Sequence, residues 1–141
     1  MKHVISSILT ALLLAVGATA VSAQNFGGAA VISGDDIIIG QSGQNATNST
    51  VRIYRRNDDG TWVNARELEA PDNDGADDRF GRALAADDMT LAVGATLVDN
   101  STGGVFIYER RDGGDWEYVA KLLPDDIMEG DSFGRAGAID G

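Results

Sequence analysis

The chain has 141 residues with 22 acidic and 11 basic side chains, a formal net charge of −11, one histidine and no cysteine. This acidic balance argues against nucleic acid and anionic membrane surfaces as partners, since both repel a negatively charged protein. Without cysteine, and with its one histidine at position 3, the rest of the chain cannot form a disulfide, a Ser-His-Asp triad, a Cys-His pair or an imidazole or thiolate metal site.

The first 23 residues differ in kind from the rest of the chain. Lys2 and His3 give a positive start, residues 4–20 are nearly all apolar or small, and Val21-Ser22-Ala23 fits a small-residue cleavage site. A transmembrane anchor is the alternative, but the apolar run is short, is interrupted by Ser and Thr, and is not followed by charged residues. We therefore predict a signal peptide over residues 1–23 and a protein exported to the periplasm, the cell surface or the medium, with no membrane insertion after cleavage.

The remainder of the chain repeats itself. Phe80 follows Phe26 by 54 residues, Tyr108 follows Tyr54 by the same offset, and Phe133 follows Phe80 by 53. The register of this match predicts a first unit over residues 24–77, a second over 78–130 and a truncated third over 131–141.

Each complete unit is predicted to contain four short strands. Turn residues such as Gly34-Asp35, Asp87-Asp88, "NDDG" and "RDGGD" separate apolar or alternating segments. The predicted strands cover 27–33, 37–40, 50–56 and 62–68 in unit one, and 81–86, 91–94, 104–110 and 116–122 in unit two. No segment after residue 23 has helical periodicity.

Four antiparallel strands recurring in register predict an all-β fold, a partial β-propeller with two complete blades and the first strand of a third. A sandwich would not require such a repeat. The small residues of strand one suit the crowded centre of a propeller, and the Trp of strand four suits its wide rim. The Phe that opens each unit, at positions 26, 80 and 133, is predicted to be core, and the Gly after it to permit a sharp turn or a close approach.

The segment "FGRALAADDMTLAVGA" resembles the FG-GAP repeat, the blade motif of integrin alpha subunit propellers and of many bacterial exported proteins. Its Gly-Ala pair is Gly94-Ala95, which is Gly40-Gln41 in the first copy, and neither copy keeps the Pro. The form "MEGDSFGRAGAIDG" is similar to the bacterial variant. The resemblance implies the propeller fold and says much less about function.

The resemblance implies calcium as a possible cofactor, because integrin-type repeats often bind it in a D-x-D-x-D-G loop between the first two strands. Here that connection is too short to wrap an ion that takes roughly six to eight oxygen ligands. The nearest alternative is Asp72, Asp74, Asp77 and Asp78, which lack the spacing of a calcium loop. We interpret them as an acidic solvated loop and expect no cofactor, with calcium at these four residues as the weaker alternative.

The two complete units cannot close a ring of roughly four to eight blades. The sequence is therefore expected to be an amino-terminal fragment of a longer protein, or else copies of the chain associate to complete a propeller. We favour the fragment.

Three functions are compatible with these features. The first is a binding or adhesion module that presents propeller loops, such as 42–49 and 96–103, to a protein or carbohydrate partner. The second is a carboxylate-based glycoside hydrolase or lyase, with Asp35, Asp36, Asp87 and Asp88 as candidates. The third is a truncated remnant without independent activity. A functional Asp should lack an equivalent in the other unit, and no such residue stands out in the sequence.

Overall fold

The computed structural model of the protein describes residues 26–43, 49–72 and 77–140. The predicted signal peptide, residues 44–48 of the first long loop and Asp74 lie outside the described residues. Within the described part, no helix combines the length and apolar character needed to cross a membrane.

The predicted all-β fold is confirmed: two four-stranded antiparallel sheets follow one another along the chain, each with its strands in sequence order. Blade one consists of β1 (Phe26–Ser33), β2 (Asp36–Gln41), β3 (Thr50–Arg56) and β4 (Trp62–Leu68). Blade two consists of β5 (Phe80–Ala86), β6 (Thr90–Ala95), β7 (Gly104–Arg110) and β8 (Trp116–Leu122). The third and fourth strands of each blade have the predicted bounds.

The first two strands of each blade are longer than predicted. β1 and β5 begin one residue earlier, at the Phe, while β2 and β6 gain one residue at each end. The added residues border turns or loops in the sequence, but their backbones pair across the sheet, as between Phe80 and Ala95.

The Phe-Gly pair forms a bulge. The register between β5 and β6 shifts between Phe80 and Ala83, and Gly81 has a φ of +79°, a conformation that costs an L-residue about 1–2 kcal/mol. A Cβ on Gly81 would also lie 2.9 Å from Val51 Cγ2 on blade one. Both roles predicted for this glycine, a sharp turn and a close approach, are therefore confirmed.

The two blades stack face to face through a shared apolar core, and β5 packs against β1, β2 and β3. Phe80 is fully buried and meets Phe106 edge-on, with ring centroids 5.6 Å apart. This confirms the prediction for Phe80, whereas Phe133 is half-buried and the side chain of Phe26 lies outside the described part.

Side chains alternate along the strands, so each blade has two faces. We call the face of blade one toward blade two its front face, and the face of blade two toward blade one its back face; their interface is the seam. The front face of blade one carries Ile38, Val51, Ile53 and Leu68, and the back face of blade two carries Leu91, Val93, Phe106, Tyr108 and Trp116.

The strand that carries the Trp is the outermost strand of each blade, as predicted for the rim. The side chain of Trp116 is fully buried in the seam, whereas the equivalent Trp62 is 47% exposed. The difference follows from stacking, because a blade covers the back face of blade two and none of the described residues forms one over blade one.

A short element, α1 (Val98–Ser101), interrupts the loop between β6 and β7, where no helix was predicted. Asp99 and Asn100 have φ values of 51° and 58°, so the segment is a left-handed turn that helical periodicity could not reveal.

Residues 131–140 continue the repeat without forming a regular strand. The backbone N–H groups of Ser132 and Phe133 donate to the carbonyls of Ser101 and Thr102, at 2.9 and 2.8 Å. Gly134 packs against blade two: its carbonyl lies so close to Gly94 that it leaves no room for a Cβ there. The Gly81 carbonyl blocks a Cβ on Gly40 of blade one in the same way. The third unit thus starts in the inner-strand position on blade two.

Candidate functional site: a charged cleft at the seam

A buried carboxylate joins the two blades at the hairpin end of the seam. Asp36 at the start of β2 is fully buried and accepts hydrogen bonds from Arg55 Nε and Nη2 at 2.7 and 3.0 Å. Two groups reach it from blade two: Arg110 Nη1 at 2.9 Å and the Trp116 indole N–H at 3.2 Å. The Arg110 guanidinium also stacks over the Trp116 ring, 4.4 Å from its centroid.

The electrostatics of this cluster favour the ionised carboxylate. Burial by itself disfavours the charge of Asp36, but the hydrogen bonds and positive charges of Arg55 and Arg110, with the Trp116 N–H, outweigh it and lower the pKa of Asp36. In return, the carboxylate raises the pKa of Arg55. Asp36 therefore stays charged and serves as an acceptor for both blades.

Asp36 breaks the symmetry of the repeat. In blade one, Asp36 pairs across the sheet with Arg55. The equivalent pair in blade two is Thr90 and Glu109. The expectation that no aspartate stands out between the two units is therefore wrong. An alignment of the two units shows that Asp36 has no equivalent aspartate, but Asp36 belongs to a Gly-Asp-Asp run of the kind that is typical of turns.

A cleft of about 470 Å³ opens beside this cluster. It lies between the turns of the two blades and is lined by Gly34, Asp35, Arg55, Arg56, Asp88, Arg110, Gly113 and Gly114. Arg55 and Arg110 thus contribute to both the buried cluster and the cleft, with side chains 29% and 17% exposed. Arg110 already donates Nε to the Asp88 carbonyl and Nη2 to Ser33, so the accessible donor is chiefly Arg55 Nη1, which makes no hydrogen bond within the described residues. The cleft thus offers a fixed guanidinium donor next to exposed carboxylate acceptors.

The four aspartates considered for catalysis have different environments. Asp36 is buried and ion-paired, and Asp87 accepts from the backbone N–H groups of Met89 and Thr90, at 2.8 and 2.6 Å, as a turn-forming side chain does. Only Asp35 and Asp88 are exposed residues of the same cleft. A carboxyl that serves as general acid usually lies in a buried, apolar environment, and both of these side chains are exposed.

The four calcium candidates do not form one cluster where they are described. The carboxylate of Asp72 pairs with Lys121 Nζ at 2.5 Å, and Asp77 Oδ1 accepts from the Arg79 N–H at 3.2 Å. Asp78 is buried, accepts from the Phe80 N–H at 2.9 Å, and leaves Oδ2 without a hydrogen-bond partner. Burial raises the pKa of Asp78 although the Phe80 N–H opposes it. Across the described ranges, no three acidic or imidazole side chains are arranged to hold a metal. The expectation of no cofactor, with calcium at these residues as its alternative, stays a prediction.

The loop over 96–103, predicted to contact a partner, is mostly packed. Thr96 and Val98 are buried, and Ser101 and Thr102 hold the third unit, so Asp99 and Asn100 alone are exposed. The hairpin-end cleft offers more accessible polar groups than this loop.

Two consecutive four-stranded antiparallel sheets that stack in register define a repeat protein consistent with a partial β-propeller. Residues 62–108 match the family model described as FG-GAP repeat, from β4 of blade one to Tyr108 in β7. The match includes Phe80-Gly81 and Gly94-Ala95, so the resemblance inferred from these motifs is confirmed. No curated protein matches the chain.

Proposed function

We propose that the protein is an exported binding module that uses the turns of its propeller blades to engage a carbohydrate or protein partner, without catalysis of its own. The observation that carries this proposal is the cleft of about 470 Å³ at the seam. Binding sites are typically concave and present a few fixed polar groups.

The chemistry of the cleft favours a carbohydrate. Arg55 and Arg110 are held by the buried Asp36, so their guanidinium groups keep a fixed position at the cleft. Asp35 and Asp88 add exposed acceptors from the two neighbouring turns. A planar guanidinium donor beside a carboxylate acceptor can bind adjacent hydroxyl groups of a sugar, and glycine turns leave room for the ring.

Calorimetric titration with neutral and uronic-acid oligosaccharides tests this proposal. We expect binding to one of these classes, and we expect the double variant D35N/D88N to weaken it at least about tenfold, equivalent to about 1.4 kcal/mol. Asp112→Asn is the matched control, since Asp112 is exposed in the β7–β8 turn and is not part of the cleft lining. Equal loss in both variants, or no binding by the parent protein, would contradict the proposal. Release of reducing sugar during incubation would contradict the absence of catalysis.

Export depends on residues 1–23 and has its own test. The pattern of a positive start, an apolar run and a small-residue site supports cleavage after Ala23. Intact-mass analysis of the protein from a secreting host should give a chain that begins at Gln24. Retention of Met1 on the secreted protein would overturn the prediction.

A further inference from the structure

The charged groups around the hairpin-end cleft balance one another before a ligand enters. The lining contributes three guanidinium groups and two carboxylates, from Arg55, Arg56, Arg110, Asp35 and Asp88. The buried Asp36 supplies a third carboxylate through its ion pairs with Arg55 and Arg110, at 2.7 and 2.9 Å. Cations and anions are therefore equal in number here, so the cleft has no excess of positive charge to attract an anion.

The Arg110 guanidinium is occupied by groups of the protein. Its Nη1 donates to Asp36 at 2.9 Å, and its Nε donates to the Asp88 carbonyl at 2.9 Å. Its Nη2 donates to the carbonyl and hydroxyl oxygens of Ser33, at 3.0 and 2.9 Å. The guanidinium also stacks over the Trp116 ring. A ligand in the cleft therefore meets Arg110 as part of the wall rather than as an available donor.

Arg55 has one free edge, which is flanked by acidic groups. Its Nε and Nη2 donate to Asp36 and its Nη2 also to the Gly114 carbonyl, which leaves Nη1 without a hydrogen bond within the described residues. The hydrogen bond to Asp36 and the charges of Asp36, Asp115 and Asp35 raise the pKa of Arg55, although burial opposes them. Asp35 and Asp115 are both exposed and lie close enough to act on this charge. Nη1 can therefore donate a hydrogen bond, but the positive charge behind it is already compensated.

The remaining cation of the lining adds little preference for an anionic ligand. Arg56 is an exposed residue, and an ion pair between exposed groups contributes little because water solvates both partners. The chain as a whole has a formal net charge of −11, which repels polyanionic glycans over longer distances. Neither the cleft nor the rest of the chain therefore favours a ligand with a negative charge.

We infer that the cleft binds uncharged sugars in preference to sugars that carry a carboxylate or a sulfate group. This inference rests on the proposed carbohydrate-binding function and specifies its class of ligand. One hydroxyl group of a neutral sugar accepts from Arg55 Nη1, and hydroxyl groups beside it donate to the carboxylates of Asp35 and Asp88. An acidic sugar makes the first contact but brings its charge near exposed carboxylates, and a like charge roughly 4 Å away in water costs about fivefold in affinity.

Matched sets of trisaccharides test this selectivity, because they differ in charge and share the sugar ring. Calorimetric titration uses the gluco, manno and galacto series, each as the uronic acid, its methyl ester and the neutral hexose. In any series that binds, an uncharged form should bind at least about fivefold tighter than the acid at roughly 0.01 M salt. The ratio should approach one at about 1 M salt, where charges are screened.

The outcomes separate this inference from the function on which it rests. An acid that binds as tightly as both of its uncharged forms, or more tightly, would make the inference wrong and leave carbohydrate binding intact. If no member of any series binds, the proposed function is wrong and the inference falls with it.

Asp115→Asn tests the electrostatic cause directly. The substitution removes one exposed negative charge that acts on Arg55 and changes no residue of the cleft lining. We expect about fivefold tighter binding of the acid and unchanged binding of the neutral hexose form. Asp112→Asn, at an exposed position of the same turn outside the lining, is the matched control and should change neither affinity. If Asp115→Asn leaves the affinity for the acid unaltered while its circular dichroism stays native, the inference is wrong.

Discussion

Replacing Asp36 with Asn measures how strongly the buried carboxylate joins the blades. The substitution leaves the shape of the side chain almost unchanged but removes its negative charge. The Arg55 and Arg110 guanidinium groups, 2.7 and 2.9 Å from the carboxylate, then lose their anionic partner. Breaking a buried ion pair typically costs about 3–5 kcal/mol. Because the two arginine side chains remain 29% and 17% exposed, water can solvate part of the uncompensated charge, and we expect a loss of about 3 kcal/mol.

A loss of that size lowers Tm by on the order of 10 °C or more in a domain of roughly 100 residues. Thermal unfolding followed by circular dichroism at pH 7 measures it, and Asp112→Asn, the same change at an exposed turn, should leave Tm unaltered.

The pH dependence provides a second criterion. The pKa of Asp36 is lowered in the folded protein, so its contribution to stability is present above the unfolded pKa of about 3.9 and is lost as the pH falls through the folded pKa. The Tm difference between the parent protein and D36N should therefore shrink below pH about 4. A difference of less than about 3 °C at pH 7, or one that persists unchanged in acid, would refute the reasoning.

Three further substitutions test other features. Gly81→Ala should destabilise the protein more than Gly27→Ala, since both glycines have a φ near +80° but only Gly81 has atoms of the other blade within 3.1 Å of the added Cβ; equal Tm losses would contradict the close approach. Trp116→Phe removes the indole hydrogen bond to a buried carboxylate and should cost about 1.5–3 kcal/mol in urea unfolding, whereas Trp62→Phe should have little effect. Burial raises the pKa of Asp78, so the stability of the folded protein should fall as the pH rises from the unfolded pKa of this group through its folded pKa. When Tm is compared across pH about 4–7, the Asp78→Asn variant should not show this decrease. A parallel decrease in the variant would exclude Asp78 as its source.

The sequence predicted the strands well where alternation and turn chemistry agree. Strands β3, β4, β7 and β8 have alternating side chains and clear hairpin turns, and their bounds match the prediction. The ends of β1, β2, β5 and β6 were missed, because their terminal residues are held by cross-strand pairing rather than by local propensity.

The site was much less predictable than the fold. Asp36 reads as a turn residue, and its partners Arg110 and Trp116 lie 74 and 80 residues further along the chain. Their contact depends on how one blade stacks on the next, which strand patterns alone do not specify. The two units did contain one clue, the replacement of Asp36 by Thr90, that could be recognised as meaningful only once burial was known.

The change from Asp36 to Thr90 also bears on how such a chain can evolve. If every seam used the same charged pair, unequal crossing-over between neighbouring repeats could delete or duplicate a blade and still leave matched surfaces. Here Asp36 and Arg55 appear in the first unit, with Thr90 and Glu109 at the same positions in the second. A recombinant that placed the second unit in the position of the first would replace Asp36 with Thr90 and Arg55 with Glu109. The next blade's arginine and tryptophan would then lose the buried carboxylate that Arg110 and Trp116 now share, so the two units are not interchangeable at this seam.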